Sequence, residues 1–358
     1  MQHGHSRLLV WKINSSIHEG MIAKLPPPDI DDKSLDYAER NVSMNDLMCR
    51  IAVHRVLSTD PILDRKYVDR HYDFTVCNPP FYTSEDELME SASLKAVPPN
   101  SACTGAPNEM ICPGGEVAFV TQMIDESVLL RNDIKWFTSM VGKLSSISVI
   151  VTKLKEIGIT NWAVTEFAPG KQTKRWAIAW SFGGLRPKVE VARGAANLEK
   201  KLLPFPSHQS MPVSSSYFLF DRLFLVCAHG YFYKRLPKLA NGFCMNNYSA
   251  DLCQLNLDME VAKERLEVVL LSLDLEKIRD GIYVSTGDVW SRSARRKRKR
   301  EDVQCESTAH ASMLSFAIAC DISAAEVPGH SAIEIRWLLG LDSVVFESFC
   351  GMLKRRLA

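Results

Sequence analysis

The residues with the clearest chemical meaning are Asn78-Pro79-Pro80-Phe81, which close the run Tyr72-Asp73-Phe74-Thr75-Val76-Cys77. A strand that ends this way loses two successive backbone N–H donors, so its ladder must stop there. The Asn78 amide and the carbonyls of Asn78 and Pro79 then face a cavity with an aromatic ring beside them. Two acceptors and a ring suit a planar amine, because the acceptors take its N–H bonds and the ring stacks on its π-face. The chemistry that needs this set is methyl transfer to an exocyclic nitrogen of a base held out of its stack. Pro-Pro by itself would mean only a strand ending in a turn. The asparagine before it and the aromatic after it carry the reading.

An exocyclic adenine amine is a poor nucleophile, since its lone pair is delocalised into the ring. Acceptors on both hydrogens favour the pyramidal, reactive geometry. Such a site needs neither a metal nor a strong base, so positioning and electrostatics set its rate. The Asn78 side chain and the Pro79 carbonyl are assigned to the amine, Pro80 completes the turn, and Phe81 stacks on the base. Tyr82 is read as loop packing, with a second stacking surface as the alternative.

These groups need a frame. Ser34 to Leu47 reads as a helix, with Leu35, Ala38, Val42 and Leu47 on one face. Ile51 to Val56 alternates like a strand and runs into the turn Ser58-Thr59-Asp60-Pro61. Residues 82–113 read as a long polar loop, a length that marks function or disorder. Gly114-Gly115-Glu116 opens a helix through Leu130; Lys135 to Val141 is a strand and Ser148 to Ile157 a helix. Trp162–Phe167 and Arg175–Phe182 form a closing antiparallel pair, on which Trp176 and Trp180 share a face and read as core. Strand–helix alternation predicts an α/β fold, a mostly parallel sheet covered on both faces.

Several segments together resemble a known family. Asp29-Ile30-Asp31-Asp32, followed by the helix to Val42, resembles the acidic strand end and next helix of class I, S-adenosylmethionine-dependent methyltransferases. Met140-Val141-Gly142-Lys143, Thr165-Glu166-Phe167-Ala168-Pro169-Gly170 and Lys174-Arg175-Trp176-Ala177-Ile178-Ala179-Trp180-Ser181-Phe182 are narrower. They resemble the adenine-N(6) RNA methyltransferases that act on U6 small nuclear RNA, and their bacterial relatives acting on ribosomal RNA. The resemblance runs from Asp29 to Phe182 and implies a Rossmann-like sheet, S-adenosylmethionine as cofactor and structured RNA, U6 small nuclear RNA first, as partner. It places Asp29 on the cofactor ribose and Thr59 or Asp60 on the cofactor adenine, with Asn78 beside the cofactor as well. Helix capping is the alternative role for Asp29, Asp31 and Asp32. Lys143, Lys171, Lys174 and Arg175 fall near the RNA, with plain surface charge as the alternative for Lys171 and Lys174.

The start of the chain departs from that family. Only Gly4 and Gly20 precede Asp29, and no Gly-x-Gly occurs there. Pro26-Pro27-Pro28 stands where a central strand should run into Asp29, and prolines are excluded from such strands. Residues 1–28 are therefore expected to be atypical, without the strand and glycine loop that hold the cofactor. A truncated or mis-joined gene model and a degenerate copy explain this equally well. A catalytically impaired RNA-binding homologue is accordingly the second functional reading. A protein glutamine-amide methyltransferase, which uses a similar Asn-Pro-Pro-aromatic site, is the third.

The methyltransferase domain is expected over 29–183, a linker over 184–216 and a small α+β module over 217–358. In the module, Leu257–Arg279 reads as a helix, followed by strands Gly281–Trp290, Ser312–Cys320 and Ala332–Leu338. A terminal helix, Asp342–Leu357, has Asp342 as its N-cap. Eukaryotic members of the family carry a C-terminal RNA-binding domain, and the module resembles a reduced one. Between its first two strands, seven of the nine residues 292–300 are basic, so the run is a solvated loop. Arg295, Arg296, Lys297, Arg298, Lys299 and Arg300 read as a phosphate-binding strap, a nuclear localisation signal, or both.

Composition narrows the rest. A net charge of +1 gives no global basic field, so RNA affinity must come from local patches. No apolar run approaches the roughly 18 residues of a membrane span. The ten cysteines lack any Cys-x-x-Cys, which argues against zinc or a disulfide framework and for a reducing compartment. His3 and His5 are read as an unpartnered terminus rather than a metal pair. The expectation is a nuclear monomer with no metal and no membrane contact.

Overall fold

The computed structural model describes residues 7–11, 21–25, 32–55, 60–68, 71–93, 110–131, 133–168, 174–195, 197–214, 259, 262–273, 275–291, 314–324 and 330–357. Two compact units meet in sequence between Phe205 and Pro206.

The first unit is an α/β layer structure. In chain order it contains β1 (Arg7–Trp11), β2 (Met21–Leu25), α1 (Asp32–Met44), β3 (Ile51–Arg55), β4 (Tyr72–Asn78) and α2 (Glu85–Ser93). Then come α3 (Gly115–Ser127), β5 (Ile134–Val141), α4 (Leu144–Glu156), β6 (Asn161–Phe167), β7 (Arg175–Ser181) and the short α5 (Val189–Ala192). The seven strands lie in the order β3-β2-β1-β4-β5-β7-β6.

Helical spacing of apolar residues explains why α3 and α4 cover this sheet. Val120, Met123 and Ile124 of α3, and Ile147, Ile150, Val151 and Leu154 of α4, are all fully buried. Trp176 and Trp180 are core, as expected. Trp180 stacks on Phe137 at 5.8 Å and donates its indole N–H to Ser127 Oγ at 3.0 Å, which satisfies the one polar atom that burial would strand. Buried Thr75 accepts the Thr138 amide at 2.9 Å, tying β4 to its parallel neighbour β5.

Four expectations are corrected. The sheet is parallel at β2–β3 and β4–β5, but β1 is antiparallel to both its neighbours. Only residues 12–20 join β1 to β2, and a parallel crossover takes about a dozen residues or more. The segment 1–28 does contribute strands, and β2 stops at Leu25, so the triproline follows a strand instead of interrupting one. Residues 82–113 contain α2, whose Glu87 amide donates to Ser84 Oγ at 3.2 Å while its carboxylate takes the Thr83 amide at 2.7 Å. The Ser84 cap is a local signal, Ser followed three residues later by Glu. Finally, α4 begins at Leu144 rather than Ser148.

The second unit contains β8 (His208–Ser214), α6 over 262–271, β9 (Glu276–Arg279), β10 (Ile282–Ser285), β11 (Phe316–Ala324), β12 (His330–Leu339) and α7 (Ser343–Leu357). Its sheet, ordered β8-β12-β11-β10-β9, is antiparallel throughout. Phe346, Phe349 and Leu353 of α7 and Ile333, Ile335 and Trp337 of β12 are buried, and Trp337 stacks on Phe346 at 5.2 Å. The α7 cap is as expected, the Val344 amide donating to Asp342 Oδ1 at 2.8 Å.

Several boundaries differ in this unit: the strand expected over Gly281–Trp290 ends at Ser285, and the one expected over Ser312–Cys320 runs from Phe316 to Ala324. The stretch 184–216 is not simply a linker: it supplies α5 and β8, and β8 pairs with β12 along His208–Ser214. The helix expected to reach Arg279 ends early, because Asp280-Gly281 makes the turn of the hairpin β9–β10. Gly281 has φ +73°, and a Cβ there would lie 2.8 Å from the Cys320 carbonyl oxygen, so only glycine fits.

Candidate active site

The candidate site forms where strand ends of the first sheet converge. β4 and β5 are parallel and β7 is antiparallel to β5, so Asn78, Val141 and Arg175 lie at the same edge of the sheet. This is the edge where open α/β sheets carry their ligands. Arg7, which opens β1, pairs with Asn78. Asn78 is half-buried at the end of β4, Pro79 and Pro80 are buried, and Phe81 is half-buried.

Phe81 is held from several sides. A Cβ on Gly142 would lie 2.9 Å from Phe81 Cδ1, so the ring occupies space that any other residue would need. The Arg175 guanidinium carbon lies 5.5 Å from the ring centroid, a cation–π contact. Tyr82, next along, is fixed through its backbone: its amide donates to the Met110 carbonyl and its carbonyl accepts the Cys112 amide, each at 3.0 Å.

Two carboxylates bind the surrounding loops together. Glu116 is 2% exposed, and its oxygens accept the Gly142 amide at 2.6 Å, the Lys143 amide at 3.0 Å and the Ser146 hydroxyl at 2.6 Å. The Gly142 and Lys143 amides lie just before α4 and Ser146 is in its first turn; the helix's own N-cap, Lys143, has no side-chain cap bond. An acid from another helix thus fixes the segment that enters α4, at the positive end of the helix dipole.

Glu87 is the second. It accepts Thr83 Oγ1 at 2.6 Å as well as the Thr83 amide, and its other oxygen pairs with the Lys143 ammonium. The Lys143 hydrogen bond, followed by those from Thr83, lowers the Glu87 pKa to about 2. Since the folded value lies below the ordinary one, the stabilisation from this pair is complete above about pH 4.3. It is lost as pH falls toward 2. A ¹³C NMR titration of the Glu87 carboxyl should show a midpoint near 2; a midpoint near 4 would mean that the pair does not form in solution.

Cys77, buried beneath Asn78, has its thiol pushed up to about 12 by burial, against a hydrogen bond with Ser139. It is a neutral packing group and no nucleophile.

The expected site residues divide into three groups. Asn78, Pro79, Pro80, Phe81, Lys143 and Arg175 are brought to one edge. Asp60 is half-buried in the connection after β3, with Lys66 Nζ at 3.6 Å, and Lys174 pairs with Glu166 at 2.6 Å. Asp29, Thr59, Lys171 and the basic residues Arg295 to Arg300 lie outside the described residues. Glu116 and Glu87 escaped the sequence reading as site residues. The available signal was weak, an acid in the first turn of a helix, because their partners come from other elements. Among the described residues, no cluster of His, Cys, Asp or Glu could hold a metal, and no helix is long and apolar enough to cross a membrane.

Comparison with known proteins adds a lineage to this geometry. Residues 24–184 match a family model described as RNA methyltransferase. The U6 small nuclear RNA (adenine-(43)-N(6))-methyltransferase of Schizosaccharomyces pombe is 31% identical over 335 residues, which cover 92% of this chain and 71% of the relative. The mouse RNA N(6)-adenosine-methyltransferase METTL16 is 35% identical over 158 residues, 43% of this chain and 28% of the relative. A crystal structure titled as the hMettl16 catalytic domain in complex with MAT2A 3'UTR hairpin 1 is 33% identical, covering 44% of this chain and 55% of that one, with a TM-score of 0.39. The S. pombe match extends from the catalytic motif through the second unit, and on that extent the chain belongs to the adenine-N(6) RNA methyltransferase family.

Proposed function

We propose that this chain transfers a methyl group to the N6 amine of an adenine in structured RNA, with U6 small nuclear RNA as its substrate, and that it acts in the nucleus as a monomer. The observation that carries this is the Asn78–Phe81 turn, held at the ligand-binding edge of the sheet with Gly142 and Arg175 against Phe81. The Asn78 side-chain oxygen and the Pro79 carbonyl accept the two amine hydrogens, and Phe81 stacks on the flipped base. Lys143 and Arg175 stand at the same edge to meet the RNA backbone.

S-adenosylmethionine, the methyl donor of this family, supplies an electrophilic methyl group when bound. The acceptor end of the site fits that chemistry. The other end differs. β1 points its C-terminal residue, Trp11, toward Phe74, away from the edge that carries Asn78. The described residues therefore offer no β1 glycine turn for the donor's methionine end.

Incubation with methyl-labelled S-adenosylmethionine and U6 RNA, followed by nucleoside analysis, tests the proposal; label must appear as N6-methyladenosine. The direction of β1 favours a second reading, an RNA-binding homologue without turnover. Tight RNA binding with no label transferred would select it.

The basic run should govern affinity. Replacing Arg295 to Arg300 with glutamine is expected to weaken RNA binding and flatten its salt dependence, each lost phosphate contact lowering the log–log slope by about 0.7–0.9. Titrations at two salt concentrations check this, and an unchanged slope would leave the run only a localisation signal.

A further inference from the structure

Two loops make the acceptor side of the site. One follows β4 and carries Phe81; the other follows β5 and carries Gly142 and Lys143. The segment Gly114-Gly115-Glu116 touches both. Gly115 has φ +61°, and a Cβ there would meet Thr83 Cγ2 at 3.0 Å and the Phe81 carbonyl oxygen at 3.6 Å. One residue on, Glu116 takes the Gly142 and Lys143 amides. Gly142 in turn has the Phe81 ring where its Cβ would stand, with Glu116 Oε2 itself 3.1 Å from that point. The buried carboxylate, the glycine and the ring thus form one contact chain.

We propose that Glu116 is a positioning residue for this reaction: by fixing Gly142 it sets the plane of Phe81, and through it the stacked adenine. The inference rests on the methyltransferase reading above and adds to it a residue to which that reading gives no contact with the base. The physical case is the number and kind of bonds. The Glu116 carboxyl oxygens accept three hydrogen bonds from one short segment, two of them at 2.6 Å. Glu116→Gln keeps the shape but puts an amide N–H₂ where one oxygen accepted, so either Gly142 or the Lys143–Ser146 side loses its acceptor. Gly142→Ala reaches the same ring from the other direction, by pushing a methyl group into Phe81.

The test uses the full chain and a U6 RNA fragment carrying 2-aminopurine at the adenine to be methylated, alongside the natural fragment for turnover. Glu116→Gln and Gly142→Ala should each lower kcat about tenfold to a hundredfold, the cost of an ångström-scale misplacement. Because Glu116 is buried and Gly142 has no side chain to reach a phosphate, KM for RNA and half-saturation of binding should stay within about twofold. The 2-aminopurine emission at saturation should shift in both variants. In a Phe81→Leu background, Glu116→Gln should cost less than about twofold more, since residues acting through one another are not additive.

Full additivity with Phe81→Leu, unchanged emission at saturation, or a wild-type emission that never responds to binding would each overturn the proposal. Should Glu116→Gln fail to fold, Gly142→Ala decides alone, and unaltered emission from it is a refutation. If the wild-type chain transfers no methyl group yet the emission responds as described, the catalytic reading has failed and the positioning role stands.

Discussion

Asn78→Ala is expected to remove methyl transfer almost completely while RNA binding stays within a few-fold. The asparagine supplies an acceptor for an amine hydrogen whose bond strengthens as the nitrogen becomes pyramidal, so its loss falls on the transition state rather than on binding. Removal of one preorganised hydrogen-bonding group of this kind costs about 2.7–4 kcal/mol, or roughly a hundredfold to a thousandfold in rate. The backbone should tolerate the change, because β4 is held by its ladders to β1 and β5 and by the Thr75–Thr138 pair, none of which uses the Asn78 side chain. Single-turnover assays on U6 RNA, with affinity measured separately, distinguish the two effects. An alanine variant with wild-type turnover would remove Asn78 from the chemistry. An equal loss of binding and turnover would make it an RNA contact.

The second large effect concerns the cofactor: this chain should bind S-adenosylmethionine weakly. Its sequence has no Gly-x-Gly before Asp29, and β1 runs opposite to the direction that would end in a glycine turn beside Asn78. The methionine carboxylate and amine are charged, and hydrogen bonds to charged groups contribute about 1.5–3 kcal/mol each. Losing two or three of them weakens binding by at least roughly a hundredfold, at about 1.4 kcal/mol per tenfold. Titration calorimetry on the purified chain measures this directly. A dissociation constant in the low micromolar range would show that residues 1–28 hold the donor by a different arrangement. Weak cofactor binding with intact RNA binding would instead support the RNA-binding reading.

What could be read from the sequence was local. Asn78-Pro79-Pro80-Phe81 was legible because paired prolines end a ladder by covalent geometry, whatever surrounds them. Ile150, Val151 and Leu154 announced a helix, and Trp176 and Trp180 a buried strand face, because both patterns repeat within a few residues. Asp342 capped its helix as expected because its partner, Val344, is two residues away. The direction of β1 was not legible, since Leu8 and Val10 alternate alike in either orientation and only pairing with Asn78 and Lys24 decides. Residues 184–216 hid β8 because their proline and serine content suits both a linker and an edge strand, and β8 acquires its role only beside β12. Glu116 was invisible as part of the site for the same reason. Its three partners lie 26, 27 and 30 residues away, so its role exists only once the fold has brought α3 to the end of β5. The sequence alone pointed to the chemistry proposed for this protein and to the strand end proposed to carry it. The tertiary structure decided how that strand end is held and whether a cofactor turn stands beside it, because those depend on contacts between segments that no local pattern encodes.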